Sequence, residues 1–196
     1  MPLDPFRWTI VTFFLAGLCV GIYHRARAHW AGGRVSHREE GAAMFLAIRL
    51  SALVGMVGSL TWFFRPRSMA WSSLPLPDAI RWIGLPLAVA TLAFVTWTMH
   101  TLGANLTDTV VTREKHTLIT GGPYRWVRHP FYLAVLMLAA TVTLLAANWF
   151  FAAIGGWVFT LLAIRSGKEE ALLHARFGAD YERYRQHTGR FAPRWK

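Results

Sequence analysis

The chain has 196 residues, of which 54% are hydrophobic, and its 21 Lys and Arg residues far exceed its 10 Asp and Glu residues. Long apolar runs between the basic clusters exclude an ordinary nucleic-acid-binding domain and indicate an integral membrane protein whose positive charge contacts anionic headgroups. The only cysteine, Cys19, excludes an intramolecular disulfide and a cysteine-based zinc site, and no metal site is predicted.

Five apolar segments follow one another along the chain. The second and third are long enough to cross a hydrocarbon core of about 30 Å at a rise of about 1.5 Å per residue. The fourth and fifth are shorter, are joined without an intervening charge, and are predicted to form a short helical hairpin. The sequence therefore predicts an all-α polytopic bundle of about five spans, a single membrane domain over 1–196 with a helical C-terminal tail. The segments are 8–23, 42–64, 80–102, 131–147 and 149–164.

Basic residues concentrate in alternate aqueous regions, namely the first loop, the loop before the fourth segment, and the tail. By the positive-inside rule, this pattern predicts an external N-terminus and a cytoplasmic C-terminus. Arg49 lies inside the second segment and is predicted to snorkel to the cytoplasmic interface, the alternative being that it points into the functional cavity. The basic residues of the two loops are Arg25, Arg27, Arg34, Arg38, Arg113, Lys115, Arg125 and Arg128, and those of the tail run from Arg165 to Lys196.

The first motif runs from Tyr124 through Arg128-His129-Pro130 to Tyr132. A proline disfavours helical backbone in the residue before it, so His129 is predicted at the N-cap and Pro130 at the start of the fourth helix. A helix start of this kind, with Arg125 and Arg128 nearby, is suited to hold a carboxylate or phosphate. The alternative is a collar of snorkelling basic side chains.

The second motif combines Arg165 with the adjacent carboxylates Glu169 and Glu170. Arg165 and Glu169 are four residues apart and share a face if the fifth helix continues beyond the membrane. The two carboxylates either lie on a solvated turn or hold a cation. Gly178 is predicted to end the helical run before a polar, aromatic segment that contains Tyr181 and Tyr184.

In this order and spacing around a hairpin, the two motifs resemble the isoprenylcysteine carboxyl methyltransferase family and the related phospholipid N-methyltransferases. The resemblance covers 103–196, and upstream only the hydropathy pattern agrees. It implies that this portion binds S-adenosylmethionine at the cytoplasmic ends of the last helices. It also implies methyl transfer to a lipophilic or membrane-associated acceptor, of which a prenylcysteine-type carboxylate is the family's best-known example. The glycine-rich motif of the soluble methyltransferases is absent from the sequence.

The chemistry of methyl transfer suggests roles for individual residues of the implied site. Arg165 would orient an anionic acceptor, and Glu169 would serve as the base if the acceptor were an amine or a thiol, with His129 as the other candidate. Lateral entry of the acceptor from the bilayer, between the second span and the hairpin, is expected. No nucleic acid and no obligate protein partner are predicted. The implied cofactor-binding residues are Tyr124, Arg128, His129, Pro130, Tyr132, Glu169, Glu170, Tyr181 and Tyr184.

Two other functions fit parts of the pattern. Sterol and steroid reductases carry a similar Arg-His-Pro-x-Tyr element for a nicotinamide cofactor, although they are usually longer and the paired glutamates favour the methyltransferases. A membrane protein without catalytic activity would use the basic face to bind anionic lipid.

Overall fold

The computed structural model describes residues 4–30, 42–103 and 117–194. Within those ranges every regular element is helical, and four segments are long and apolar enough to cross a membrane by length and composition. These four are α1, α2, α3 together with α4, and α6, whereas α5 has only 17 residues. The helices are α1 (Pro5–Trp30), α2 (Ala42–Phe64), α3 (Asp78–Trp82), α4 (Gly84–Leu102), α5 (Pro130–Ala146), α6 (Trp149–Phe177) and α7 (Ala179–His187), with 3-10 turns at Pro66–Ser72 and Gly122–Arg125.

The predicted all-helical bundle is confirmed, but three helices differ from their predicted extents. α1 is longer at both ends, and the third segment is divided between α3 and α4 at Ile83. The second arm of the hairpin is not short, because α6 continues for 29 residues to Phe177. Hydropathy falls after Ile164, yet the charged residues that follow are good helix formers, so the helix outlasts the apolar run. Gly178, at φ 51°, ends it as predicted.

The turn between α5 and α6 is anchored by Asn148. Its side chain caps α6 by accepting a hydrogen bond from the backbone N–H of Phe150 at 3.0 Å. Its Nδ2 donates to the carbonyl of Met69 at 3.2 Å. In the same turn, the backbone N–H of Leu74 donates to the carbonyl of Ala147 at 2.7 Å. The hairpin is therefore tied to the segment that follows α2.

The opposite end of the hairpin carries both sequence motifs. α4 and α6 end there, and α5 begins there; we call it the motif end, defined by His129 and Glu170. α2 runs antiparallel to α6, so its N-terminus lies at this end as well. The guanidinium of Arg49 is 4.9 Å from the ring centroid of Phe45, one turn nearer the motif end, which agrees with snorkelling. Arg34, Arg38, Arg113, Lys115 and Lys196 lie outside the described residues.

α5 and α6 approach closely at Gly155, and this contact yields a stability prediction. A Cβ added to Gly155 would lie 2.2 Å from the Cβ of Ala139, whereas one added to Gly156 would meet nothing within 4 Å. We expect Gly155→Ala to lower stability by about 1–3 kcal/mol through overpacking. Thermal unfolding of the detergent-purified protein measures this. Gly156→Ala is the matched control, and equal melting temperatures for the two variants would contradict the assigned packing.

Candidate active site

The predicted start of α5 is confirmed. His129 occupies the N-cap with φ −124° and ψ 63°, and Pro130 is the first helical residue. The His129 side chain does not cap the helix but points to α6, where its Nε2 lies 3.0 Å from Oε1 of Glu170. Its ring stacks on Tyr132, with centroids 5.0 Å apart and an interplanar angle of 13°. His129 of the first motif thus contacts Glu170 of the second motif across the hairpin.

Glu170 is the centre of an ionic cluster. Its Oε1 accepts a hydrogen bond from Nε of Arg128 at 3.1 Å and lies 3.0 Å from Nη2 of Arg128. The same oxygen is 3.3 Å from Nε of Arg190. With His129, three basic side chains therefore surround one carboxylate that is only 15% exposed. Arg128 Nη1 also donates to the carbonyls of Arg185 and Thr188. This cluster joins α5, α6 and the end of the chain.

The cluster bears on one expectation from the sequence. Arg128 and the start of α5 were predicted to be available for an anionic group of a ligand. The Arg128 guanidinium is instead bound by Glu170 and two carbonyls, and the backbone N–H groups of Arg128 and His129 donate to Gly189 and Arg190. Arg125 packs its guanidinium 5.4 Å from the ring centroid of Trp126. The Arg128 side chain and the backbone donors of residues 128 and 129 are therefore paired within the protein.

Glu169 has a different environment from its neighbour. It accepts a 2.6 Å hydrogen bond from the Tyr132 hydroxyl, its Oε2 is 3.8 Å from Nδ1 of His129, and its side chain is 32% exposed. Adjacent residues on a helix point about 100° apart, which separates the two carboxylates. Glu170 is the more enclosed and more fully paired of the two, and Glu169 is the more accessible.

Arg165 lies one turn before Glu169 on α6, where it is half-buried. Its positive charge acts on the Tyr132 phenol, so it belongs to the same face of the site as Tyr132 and Glu169. Tyr132 itself is buried, with 8% of its surface exposed. The acceptor-orienting and carboxylate residues predicted from the sequence thus come together at the motif end.

Three tyrosines next to the hairpin at the motif end, Tyr124, Tyr181 and Tyr184, lie close to one another. The Tyr184 hydroxyl donates to the carbonyl of Tyr124 at 2.7 Å, and the rings of Tyr181 and Tyr184 are 6.1 Å apart. Burial raises the pKa values of Tyr124 and Tyr184 above that of a free phenol, and raises the pKa of Tyr181 to about 12. All three therefore keep their protons, and remain potential donors, at neutral pH.

Two cavities lie beside α7. The first, of about 420 Å³, falls within the range of ligand pockets and is lined by Gly167, Glu170, Ala171, His174, Tyr181 and Arg185. The second, of about 510 Å³, is lined by Leu118, Thr120, Asp180, Arg183, Tyr184 and His187. Glu169 lines neither of them, so the site spans more than either cavity alone.

The Tyr181 hydroxyl supports a prediction about ligand binding. Its oxygen is fully enclosed beside the Arg128 guanidinium, which acts on the phenol, and its side chain borders the first cavity. We expect Tyr181→Phe to change the melting temperature little, because the packing of the ring is kept, and to weaken S-adenosylhomocysteine binding about three- to tenfold. Calorimetric titration and thermal unfolding measure the two quantities. A lower melting temperature with unchanged affinity would contradict a ligand-facing hydroxyl.

The segment 188–194, which we call the C-terminal strap, was not predicted as part of the site. Its carbonyls accept from Arg128 N–H at 2.8 Å and from His129 N–H at 3.2 Å. Gly189 permits a tight turn, since an added Cβ would lie 1.7 Å from the carbonyl oxygen of Ala192. The strap supplies Arg190 to the ionic cluster and Phe191 to the aromatic rings. Its sequence signal is slight: a glycine and a proline, Gly189 and Pro193, flank three residues.

Three comparisons with known proteins agree with this architecture. The sequence pattern of the isoprenylcysteine carboxyl methyltransferase (ICMT) family matches residues 82–175, which include both motifs. The chain is 24% identical over 186 residues to a protein-S-isoprenylcysteine O-methyltransferase of Dictyostelium discoideum, covering 88% of this chain and 73% of that protein. The solved structure of a eukaryotic intramembrane Ras methyltransferase, ICMT, matches with a TM-score of 0.54 and 22% identity over 78% of this chain. The match covers 53% of that protein's chain, so this chain spans about half of its length.

The bundle and its motif end, helical throughout the described residues, resemble the integral membrane methyltransferases that these comparisons name. Within that class the chain is ICMT-like, which confirms the resemblance drawn from the two motifs.

Proposed function

We propose that this protein transfers a methyl group from S-adenosylmethionine to the carboxylate of a lipophilic, prenylcysteine-type acceptor. The observation that carries the proposal is the difference between the environments of the two adjacent glutamates at the motif end. Glu170 is enclosed by basic side chains, while Glu169 remains accessible beside Tyr132 and His129. An accessible carboxylate next to aromatic faces suits a ligand that bears cationic ammonium and sulfonium groups.

The described residues fit such a cofactor. Glu169 would receive the ammonium group, and the enclosed Tyr181 hydroxyl would donate to the ligand from the wall of the first cavity. Tyr124 and Tyr184 would form an apolar wall of the size of an adenine ring. When bound, S-adenosylmethionine supplies a methyl group already activated by the positive sulfur. The chain's own task is therefore to align the acceptor and exclude water.

Arg165 is proposed to hold the acceptor carboxylate, because a guanidinium binds a carboxylate with two parallel hydrogen bonds. In that position an oxygen lone pair of the acceptor would form the new bond to the methyl carbon, and the electron pair of the broken C–S bond would go to sulfur. The positive and negative charges of the reactants are both neutralised, and no proton is transferred. A carboxylate acceptor thus needs orientation by Arg165 but no general base.

The orientation in the membrane is part of the proposal. Arg25, Arg27, Arg125, Arg128 and Arg176 lie toward the motif end of the bundle. The positive-inside rule then favours a cytoplasmic motif end and an external N-terminus. Labelling of single cysteines introduced at residues 4 and 194 of a Cys19→Ser chain, in sealed vesicles, tests it. Equal protection of the two positions from an impermeant reagent would contradict the proposal.

Two binding titrations and one activity assay test the proposed function. The purified protein is expected to bind S-adenosylhomocysteine and not NADPH. It should also incorporate labelled methyl from S-adenosylmethionine into an S-prenylated N-acetylcysteine, and the label should be released by alkali, as a methyl ester requires. The same thioether with its carboxyl already esterified is the control acceptor. NADPH binding alone would indicate a reductase, alkali-stable label would indicate N- or S-methylation, and binding of neither cofactor would contradict an enzyme.

A further inference from the structure

The ring of Phe191 lies at the junction of three elements. Its centroid is 5.7 Å from that of His129 and 6.3 Å from that of Tyr132, both at the start of α5. It is also 5.2 Å from the centroid of Phe159 on α6, in an edge-to-face arrangement. The C-terminal strap thus places one aromatic side chain between the start of α5 and Phe159 of α6. We call this position the mouth of the hairpin.

The position of Phe159 locates this mouth on the membrane side of the polar residues. Phe159 precedes Arg165 by nearly two turns of α6, which is about 9 Å toward the interior of the span. Phe191 therefore stands between the polar face of the site and the apolar length of the hairpin. The guanidinium of its neighbour Arg190 lies 5.5 Å from the centroid of the Phe191 ring, and Nε of Arg190 is 3.3 Å from Oε1 of Glu170.

The strap holds Phe191 firmly in that position. Two backbone hydrogen bonds attach Gly189 and Arg190 to the first motif, and the Arg190–Glu170 contact attaches the strap to α6. A ring held by these contacts makes a fixed wall.

We propose that Phe191 is a specificity-determining residue whose ring sets the size of the lipophilic group that can reach Arg165 and Glu169 from the bilayer. The inference rests on the proposed function, since it assigns the wall of the acceptor passage for that reaction. An acceptor with a long prenyl chain has to pass this ring, whereas the water-soluble cofactor reaches the site from the α7 side. Removal of the ring should change the preference among acceptors, with little effect on cofactor binding.

The test compares Phe191→Ala and Phe191→Trp with the unmodified protein. The values of kcat/KM are measured for N-acetylcysteines carrying geranyl, farnesyl and geranylgeranyl groups, together with the Kd of S-adenosylhomocysteine. We expect Phe191→Ala to shift the geranylgeranyl-to-geranyl ratio upward by about tenfold or more, and Phe191→Trp to shift it downward, as differences in pocket size do. The Kd of S-adenosylhomocysteine should stay within about twofold. Phe64→Ala, an exposed phenylalanine at the opposite end of the bundle, is the control and should leave all ratios unchanged.

A purely structural role would lower kcat/KM for all three acceptors by one factor, or would weaken S-adenosylhomocysteine binding in parallel, and either result overturns the assignment of Phe191. If the kcat/KM ratios among the three acceptors are unchanged in Phe191 variants that remain active, the assignment of Phe191 is overturned and the proposed function is not. Failure of the unmodified protein to methylate any of the three thioethers overturns the proposed function as well.

Discussion

Replacing Glu170 by alanine is expected to unfold the motif end and to abolish S-adenosylhomocysteine binding. The carboxylate neutralises Arg128, contacts Arg190 and His129, and is only 15% exposed, so its removal leaves unpaired charge in an enclosed place. Breaking a buried ion pair by removing one partner costs about 3–5 kcal/mol. Thermal unfolding of the detergent-purified protein, followed in parallel with limited proteolysis of the C-terminal strap, measures the loss.

A matched control for this variant is available on α7. Glu182 pairs with Arg185 three residues along the same helix, at the surface, so Glu182→Ala should change the melting temperature little. The double variant Arg128→Ala, Glu170→Ala should be less unstable than the sum of the single variants, because it removes both charges of the pair. Equal losses for Glu170→Ala and Glu182→Ala, or strict additivity in the double variant, would contradict the cluster as described.

Glu169→Gln is expected to have the opposite profile: a normal melting temperature and a large loss of activity. Glutamine keeps a carbonyl oxygen to accept from the Tyr132 hydroxyl, so the fold loses little. The negative charge that would meet the cofactor's ammonium group is removed, and hydrogen bonds to charged groups contribute about 1.5–3 kcal/mol. The KM for S-adenosylmethionine should therefore rise by about ten- to a hundredfold.

The kinetic pattern of Glu169→Gln also distinguishes two roles of this residue. If Glu169 binds the cofactor, the KM for S-adenosylmethionine rises and S-adenosylhomocysteine binding weakens by a similar factor. If Glu169 were a general base, kcat would fall while S-adenosylhomocysteine affinity stayed unchanged. A loss of stability equal to that of Glu170→Ala would contradict the different environments of the two carboxylates.

The features that sequence predicted well depend on local rules. Pro130 excludes its predecessor from the helix, and Gly178 adopts a positive φ that other residues avoid, so the start of α5 and the end of α6 follow from single residues. The end of the apolar run at Ile164 was a poor guide to the length of α6, because hydropathy reports burial in lipid and not helical hydrogen bonding. The division of the third segment at Ile83 also leaves no hydropathy signal.

In the candidate site, too, local features were predicted and long-range contacts were not. Both motifs and their residues were visible in the sequence, yet the contacts that Arg128 makes within the protein were not. The pairing of Arg128 depends on Glu170, which is 42 residues away, and on the Thr188 carbonyl, which is 60 residues away. Arg190 and Phe191 were missed for the same reason, since their roles come from the strap folding back onto α5.

By itself, the sequence determined that this chain is a helical membrane protein, and it predicted that the chemistry lies between the His129-Pro130 helix start and the Glu169-Glu170 pair. Hydropathy, proline geometry and motif spacing are local properties and can be read from neighbouring residues. Only the tertiary structure decided that Glu170 stabilises the fold while Glu169 stays accessible, and that Phe191 closes the mouth of the hairpin. Two adjacent glutamates are equivalent in sequence, and packing assigns them different partners because their side chains leave the helix about 100° apart.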